Sequence, residues 1–273
     1  MVLVRAGRHR FWKILCAAFG IFFALLLWTA AAEPGAHWSP DYEKADLSGI
    51  LSKETLGSGD YRALFLQTGL SPFSIDTLRL QSGAAPILQA QEDFFMTPEI
   101  TCTPNTPISA EEHTQHGARL AALEDGDILI TPCSHTFGWR NGHAALVVDA
   151  AQGLVLEAAV LGENSAVQPI GKWETYPAVL VFRLRGVSAE ERAALASAAC
   201  QRLCNVPYGL LCRKRCGGVP RSTHCAHLVW DAFYACGFDL DSNGGSVVTP
   251  HDLAASPLLE LKQVYGIDPR TLS

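Results

Sequence analysis

Ser222-Thr223-His224-Cys225-Ala226-His227-Leu228-Val229-Trp230-Asp231-Ala232-Phe233-Tyr234-Ala235-Cys236-Gly237 is the stretch on which the reading of this chain turns. Cys225, Leu228, Val229, Ala232, Phe233 and Cys236 recur at three- and four-residue spacing, which predicts one apolar helical face beginning after Ser222 or Thr223. That face needs a sheet to cover it. Cys225 stands at its N-terminal edge, where the helix dipole and free amide groups favour a thiolate and can hold an oxyanion. A buried structural cysteine would satisfy the same spacing, so Cys225 needs partners elsewhere before it reads as a nucleophile. His227 falls on a different face of the helix, and His224 reads as a loop residue.

Upstream, Asp127 to Thr131, His143 to Asp149, Leu154 to Ala158 and Ala178 to Leu184 are short apolar runs, often β-branched, between turn residues. They predict strands of one antiparallel sheet. Asp149 to Gly153 reads as a five-residue hairpin loop, which sets Ala145 opposite Glu157 and His143 opposite Ala159. His143 and Glu157 then share a face as diagonal neighbours, within reach of long side chains. A carboxylate on an apolar strand is costly unless paired, and an imidazole to orient is an economical reason for one. Read singly, His143 is a half-buried histidine and Glu157 a strand-edge glutamate in water. Read with Cys225, the three supply the thiol, imidazole and carboxylate of a catalytic triad.

The order of these motifs resembles the circularly permuted papain-like cysteine hydrolases of the YiiX/YaeF type, relatives of the NlpC-type cell-wall peptidases. The elements that carry the resemblance run Glu124-Asp-Gly-Asp-Ile-Leu-Ile, Asn141-Gly-His-Ala-Ala-Leu-Val-Val, Val155-Leu-Glu-Ala, Val206-Pro-Tyr-Gly, Cys225-Ala-His-Leu-Val-Trp, Asp239-Leu-Asp-Ser-Asn-Gly-Gly and Val248-Thr-Pro-His-Asp-Leu. Histidine first, glutamate second and cysteine last is the permuted order. The match spans residues 124–262, about half the chain. It implies that Cys225 is the nucleophile, His143 the general base and Glu157 its orienter, with no cofactor and no metal. Relatives carry Tyr before the cysteine and Ser after it, where this chain has His224 and Ala226. The implied activity is amide-bond hydrolysis of the peptidase or amidase type through an acyl-enzyme. Permuted relatives also include lecithin:retinol acyltransferase, so a thiol-dependent lipid acyl hydrolase or acyltransferase stays open. So does a non-catalytic envelope-binding module that keeps the fold.

The remaining sequence predicts an α+β architecture in three parts: residues 1–32 as a signal peptide, 33–123 as a mostly helical extension, and 124–273 as the permuted papain-like domain. In the extension, Asp60 to Gly69 reads as a helix stopped at the glycine, Pro86 to Phe95 as another, and Thr97 to Ser109 as irregular. Ser188 and Glu191 have the spacing of a capping box at the head of a helix reaching about Cys204. Leu258 to Tyr265 reads as a closing strand.

Arg5, Arg8, Arg10 and Lys13 precede an apolar run from Ile14 to Trp28, then Ala30-Ala31-Ala32. This basic, apolar, small-residue order predicts export with cleavage after Ala32, to a secreted or periplasmic location. The alternative is an uncleaved membrane anchor over residues 11–32, since the run sits at the lower limit for spanning. The chain of 273 residues carries 21 basic and 27 acidic side chains. Cleavage would remove four basic residues and no acidic one, leaving a net charge of −10. No basic stripe remains, which argues against nucleic acid as a partner. The expected partner is a peptide or N-acyl substrate of the cell envelope, met by a monomer in contact with membrane or cell wall. Of the nine cysteines, eight lie beyond residue 32, and an oxidising destination predicts pairs. Nested bridges Cys204–Cys212 and Cys200–Cys216 are the expected set. Cys102–Cys133 is a weaker third, leaving Cys236 free in the core. Asp239-x-Asp241-x-Asn243-Gly244 mimics the start of a calcium loop but has Pro250 at its twelfth position, so it reads as a polar turn. Cys133-x-His135 lacks the second ligand pair of a zinc site.

Overall fold

A computed structural model describes residues 12–22, 24, 35–214 and 218–272. Residues 12–22 are helical, and among the described residues no helix is long and apolar enough to cross a membrane. The expected cleavage site after Ala32 and the fourth cysteine of the nested set, Cys216, lie outside the described residues. Residues 1–35 and 36–273 are separate compact units, and the elements below belong to the second.

The apolar runs form a six-stranded antiparallel sheet in the order β10-β9-β3-β6-β7-β8. Its strands are β3 (Ile128–Thr131), β6 (His143–Asp149), β7 (Leu154–Glu157), β8 (Ala166–Pro169), β9 (Val179–Leu184) and β10 (Leu259–Tyr265). The strands read as continuous apolar runs because both faces of the sheet are covered, which removes the alternation of a half-solvated sheet. Ile128, Ile130, Leu146 and Leu156 meet Leu195, Leu228, Val229 and Phe233 from two helices, α5 (Ala189–Leu203) and α6 (Cys225–Tyr234). The intervening residues Leu129, Ala145, Val147 and Val155 turn the other way, against Trp173 and Tyr176. The expected capping box heads α5: Ser188 accepts the Glu191 amide and Glu191 reaches back to the Ser188 amide.

The hairpin register is the one the sequence predicts, with Leu146 opposite Leu156 and Val147 opposite Val155. The connection is shorter than expected, since Asp149 pairs with Leu154 and a bulge at Val148 absorbs the extra residue.

Residues 36–123 supply α1 (Ser48–Leu51), α2 (Ser58–Thr68), α3 (Pro72–Ser82) and α4 (Ala85–Phe95). Gly69 ends α2 in the left-handed region at φ 68°, as its position predicts, and its carbonyl accepts the Val264 amide of β10 at 2.9 Å. Ser71 donates its amide to the Lys262 carbonyl, so the strand edge at β10 is covered rather than left open. Thr97 to Ser109 is not irregular. Ile100–Thr106 is β1, paired with β2 (Ser109–Thr114), and the extension is helical only as far as Phe95. Pro104 is tolerated there because β1 is an edge strand with a register shift at that point. β2 in turn pairs with β4 (Ser134–Thr136), which pairs with β5 (Trp139–Arg140), making a second, four-stranded sheet. The chain is therefore mixed α+β, with antiparallel sheets against helices.

Candidate active site

His143 is the first residue of β6 and Cys225 the first of α6, so both stand at the start of their elements. Strand alternation turns His143 and Glu157 to the face that carries Ala145 and Val155. There the His143 ring stacks on Trp173, with centroids 5.4 Å apart and planes at 19°. His143 Nε2 and a Glu157 oxygen are 2.7 Å apart, and both side chains are almost fully buried. The other ring nitrogen is left for the Cys225 thiol, which lines the same cleft as His143. The three residues singled out in the sequence thus lie together.

Burial, the largest influence, pushes the Cys225 thiol up, but the neighbouring His143 and His224 imidazoles outweigh it and bring the thiol down to about 5. Burial likewise pulls His143 down, and the neighbouring Cys225 together with the Glu157 bond outweighs this and raises it to about 9. For Glu157, burial pushes upward while the His143 bond and the Lys172 charge hold the carboxyl below its ordinary value. Together these favour a thiolate–imidazolium pair, as in other activated cysteines.

Three contributors carry no signal in the sequence. Lys172, on the 3-10 turn Ile170–Thr175, places Nζ 3.3 Å from Glu157 Oε1 and 3.5 Å from Glu111 Oε1. Tyr176 donates its hydroxyl to Glu111 Oε1 at 2.7 Å, fixing that carboxylate from below. His224 is not an ordinary loop residue: it is the N-cap of α6, its ring accepting the His227 amide at 3.4 Å, and it is buried against Cys225. A histidine is not among the residues that announce a helix start, which is why the sequence passes over it.

A narrow cleft leads to the thiol, lined by Ile108, Ser109, Thr136, Leu161, Tyr208 and Leu210 around His143 and Cys225. Its free volume is about 30 Å³. Trp173 and Tyr176 are wholly buried, whereas Tyr208 reaches the cleft wall. His227 hydrogen-bonds to Thr223 Oγ1 at 3.0 Å, and burial followed by the neighbouring His224 lowers it to about 4.

The cysteine expectations need correction. Cys204 and Cys212 are free thiols: Cys204 caps α5 on its exposed side, while Cys212 is buried with its sulfur on the Gly209 carbonyl and the Ser222 hydroxyl. Cys102 and Cys133 are also free. Cys102 lies on the exposed edge strand β1, and Cys133 is buried over the Ala36 and Ala178 carbonyls, its thiol pushed by burial to about 12. Cys236 is exposed rather than in the core, because α6 ends at Tyr234 and the following turn carries it outward.

The Glu124-Asp-Gly-Asp run serves the sheet, since Asp127 and Glu124 both bind the buried Arg183 of β9. The acidic run near residue 240 is a turn. Asp239, Asp241 and Asn243 each accept an amide two residues on, Lys214 binds Asp241, and Asn243 donates to Asp252, which caps α7 (Pro250–Ala254). Among the described residues, no group of three or more His, Cys, Asp or Glu side chains is placed to hold a metal ion.

No protein-family model matches the chain, and no curated protein matches it. Among solved structures, the chain is similar to the crystal structure of the metalloprotein yiiX from Escherichia coli O157:H7. The alignment has 17% identity and a TM-score of 0.41, and covers 50% of this chain and 95% of that one.

Proposed function

We propose that this chain is an exported cysteine hydrolase of the permuted papain-like type that cleaves amide bonds, with residues 124–273 carrying the chemistry. The observation that carries the reading is the buried, hydrogen-bonded His143–Glu157 pair beside Cys225 at the head of a helix. Cys225 Sγ attacks the carbonyl carbon, and the carbonyl electron pair moves to oxygen, facing the free amides at the start of α6. As the adduct collapses, the imidazolium of His143 gives its proton to the leaving nitrogen, and a thioester remains. His143 then takes a proton from water, which attacks the thioester and restores the thiolate and imidazolium. Glu157 holds the ring and stabilises its charge throughout.

The expected substrate is a peptide or N-acyl compound of the cell envelope, reached after removal of residues 1–32 into a secreted or periplasmic space. N-terminal sequencing of exported material should begin at Glu33, and a membrane-bound form retaining Met1 would replace export with anchoring. Nucleic acid is not an expected partner.

The deciding experiment pairs iodoacetamide labelling, resolved by thiol, with hydrolysis of an acyl reporter. Cys225 should be the fastest-alkylating thiol, and Cys225→Ala and His143→Ala should each abolish turnover, because the two act as a unit. If Cys225 labels no faster than the buried Cys133 and Cys225→Ala stays active, the cysteine-hydrolase reading fails, while a wild type with no turnover at all would be a binding module instead. Transfer of an acyl group from a lipid is a second reading, favoured by one observation. The cleft lining other than His143 and Cys225 is uncharged, and Leu161 and Leu210 are partly exposed at the cleft. Products from an acyl donor with and without an added acceptor separate transfer from hydrolysis.

A further inference from the structure

The N-terminal end of α6 carries a second imidazole for which triad chemistry has no use. His224 is 7% exposed, adjoins the thiol residue, and its Nδ1 accepts the His227 amide as the helix cap. A ring nitrogen that accepts carries no hydrogen, so the ring hydrogen is on Nε2. That Nε2 is buried and has no hydrogen-bond partner. A buried donor with nothing to donate to is rare in a folded protein and calls for an explanation. Here the explanation is next door. A neutral thiol is a weak acceptor, whereas a thiolate is a strong one, so ionising Cys225 gives the stranded donor its partner.

We propose that His224 is a second catalytic imidazole, whose Nε2–H donates to the Cys225 thiolate, so that the helix cap itself biases the nucleophile toward its reactive form. No proton moves in this role; His143 alone exchanges protons with substrate and water. The groups facing Cys225 are His143 from β6, backed by Glu157 of β7 and Lys172, Tyr208 from the cleft wall, and His224 from its own helix cap. His227 faces His224 from the first turn of α6. Among them His143 and His224 are the two imidazoles that draw the thiol down. The inference rests on Cys225 being the nucleophile proposed above.

The test exploits the double duty of the ring. Asparagine is a good N-cap but too short to reach the thiol, so His224→Asn keeps the cap and deletes the donor. The readout is the pH profile of iodoacetamide alkylation at Cys225, located by peptide mass spectrometry, which needs no substrate. The expected result is an unchanged melting temperature, an alkylation midpoint at least about one unit higher, and a rate at pH 5 lower by roughly five- to tenfold. The plateau rate at high pH should not fall. His224→Ser, which caps through its hydroxyl, should give the same shift. A wild-type profile in the Asn variant would reduce His224 to a cap and overturn the proposal. So would a loss of rate at every pH together with a lowered melting temperature in both variants, which marks lost structure. A different outcome strikes the hydrolase reading instead: a wild-type midpoint at the value of an ordinary thiol, with turnover surviving Cys225→Ala.

Discussion

Cys225 and His143 are both charged only between their two titrations, and that sets the pH dependence. The thiolate forms as pH rises through about 5 and the imidazolium is lost as it rises through about 9, so kcat/KM should be bell-shaped between those limbs. Glu157→Gln keeps the shape but removes the charge that favours the imidazolium. Its alkaline limb should therefore move down, narrowing the bell from that side, and above that limb the rate should fall on the order of tenfold for each pKa unit lost. A pH-rate profile of the variant checks the direction. Lys172 adds a second test. Its ammonium lies between Glu111 and Glu157, so Lys172→Met removes the cation that bridges the two carboxylates. The variant should melt lower, by about 1–3 kcal/mol of stability, and adding Glu111→Gln should recover most of the loss. A thermodynamic cycle over the single and double variants reads that coupling. The His143–Glu157 pairing was legible because Glu157 contradicts its apolar strand. Lys172, Glu111 and His224 contradict nothing locally and become visible only when the chain is folded around them.

At the scale of elements, the predictable features were those fixed by local chemistry. Gly69 stopping α2, the Ser188–Glu191 box and the β6–β7 register all follow from spacing within a few residues. The missed features were set by partners distant in sequence. β4 and β5 are three and two residues long, and β1 carries a proline, so these strands exist because β2 pairs with β4 across the fold. Cysteine spacing similarly misled, since Cys212 is turned inward and Cys204 outward. The join between helical segment and sheet gives a sharp test. A Cβ on Gly69 would stand 1.9 Å from the Val264 carbonyl oxygen, in a backbone conformation that already disfavours side chains. Gly69→Ala should destabilise by about 1–3 kcal/mol, read as a lower denaturation midpoint. Gly83→Ala, also at positive φ but with open space around it, should cost less.

In residues 36–273 as a whole, the four-stranded and six-stranded sheets are tied together by the chain between β3 and β6, which leaves one to form β4 and β5 and returns. Ile108 and Ser109, on and before β2, and Thr136 of β4 thereby wall the approach to Cys225. A space of about 30 Å³ admits one or two water molecules, far short of the several hundred Å³ that an enclosed organic ligand takes. The Cys225 thiol thus sits behind a narrow opening. Across a series of electrophiles with one warhead and growing girth, inactivation of Cys225 should be second-order and fast for the slimmest members. For bulkier members it should level off at a common rate that no longer depends on concentration, the rate at which the walls part. A disulfide between Ser109→Cys and Leu210→Cys, pinning the two walls, should erase reaction with the bulky members while sparing the slim ones. Reactivity that falls smoothly with girth, with no common ceiling, would mean that the walls are fixed and that size selection is the cleft's own.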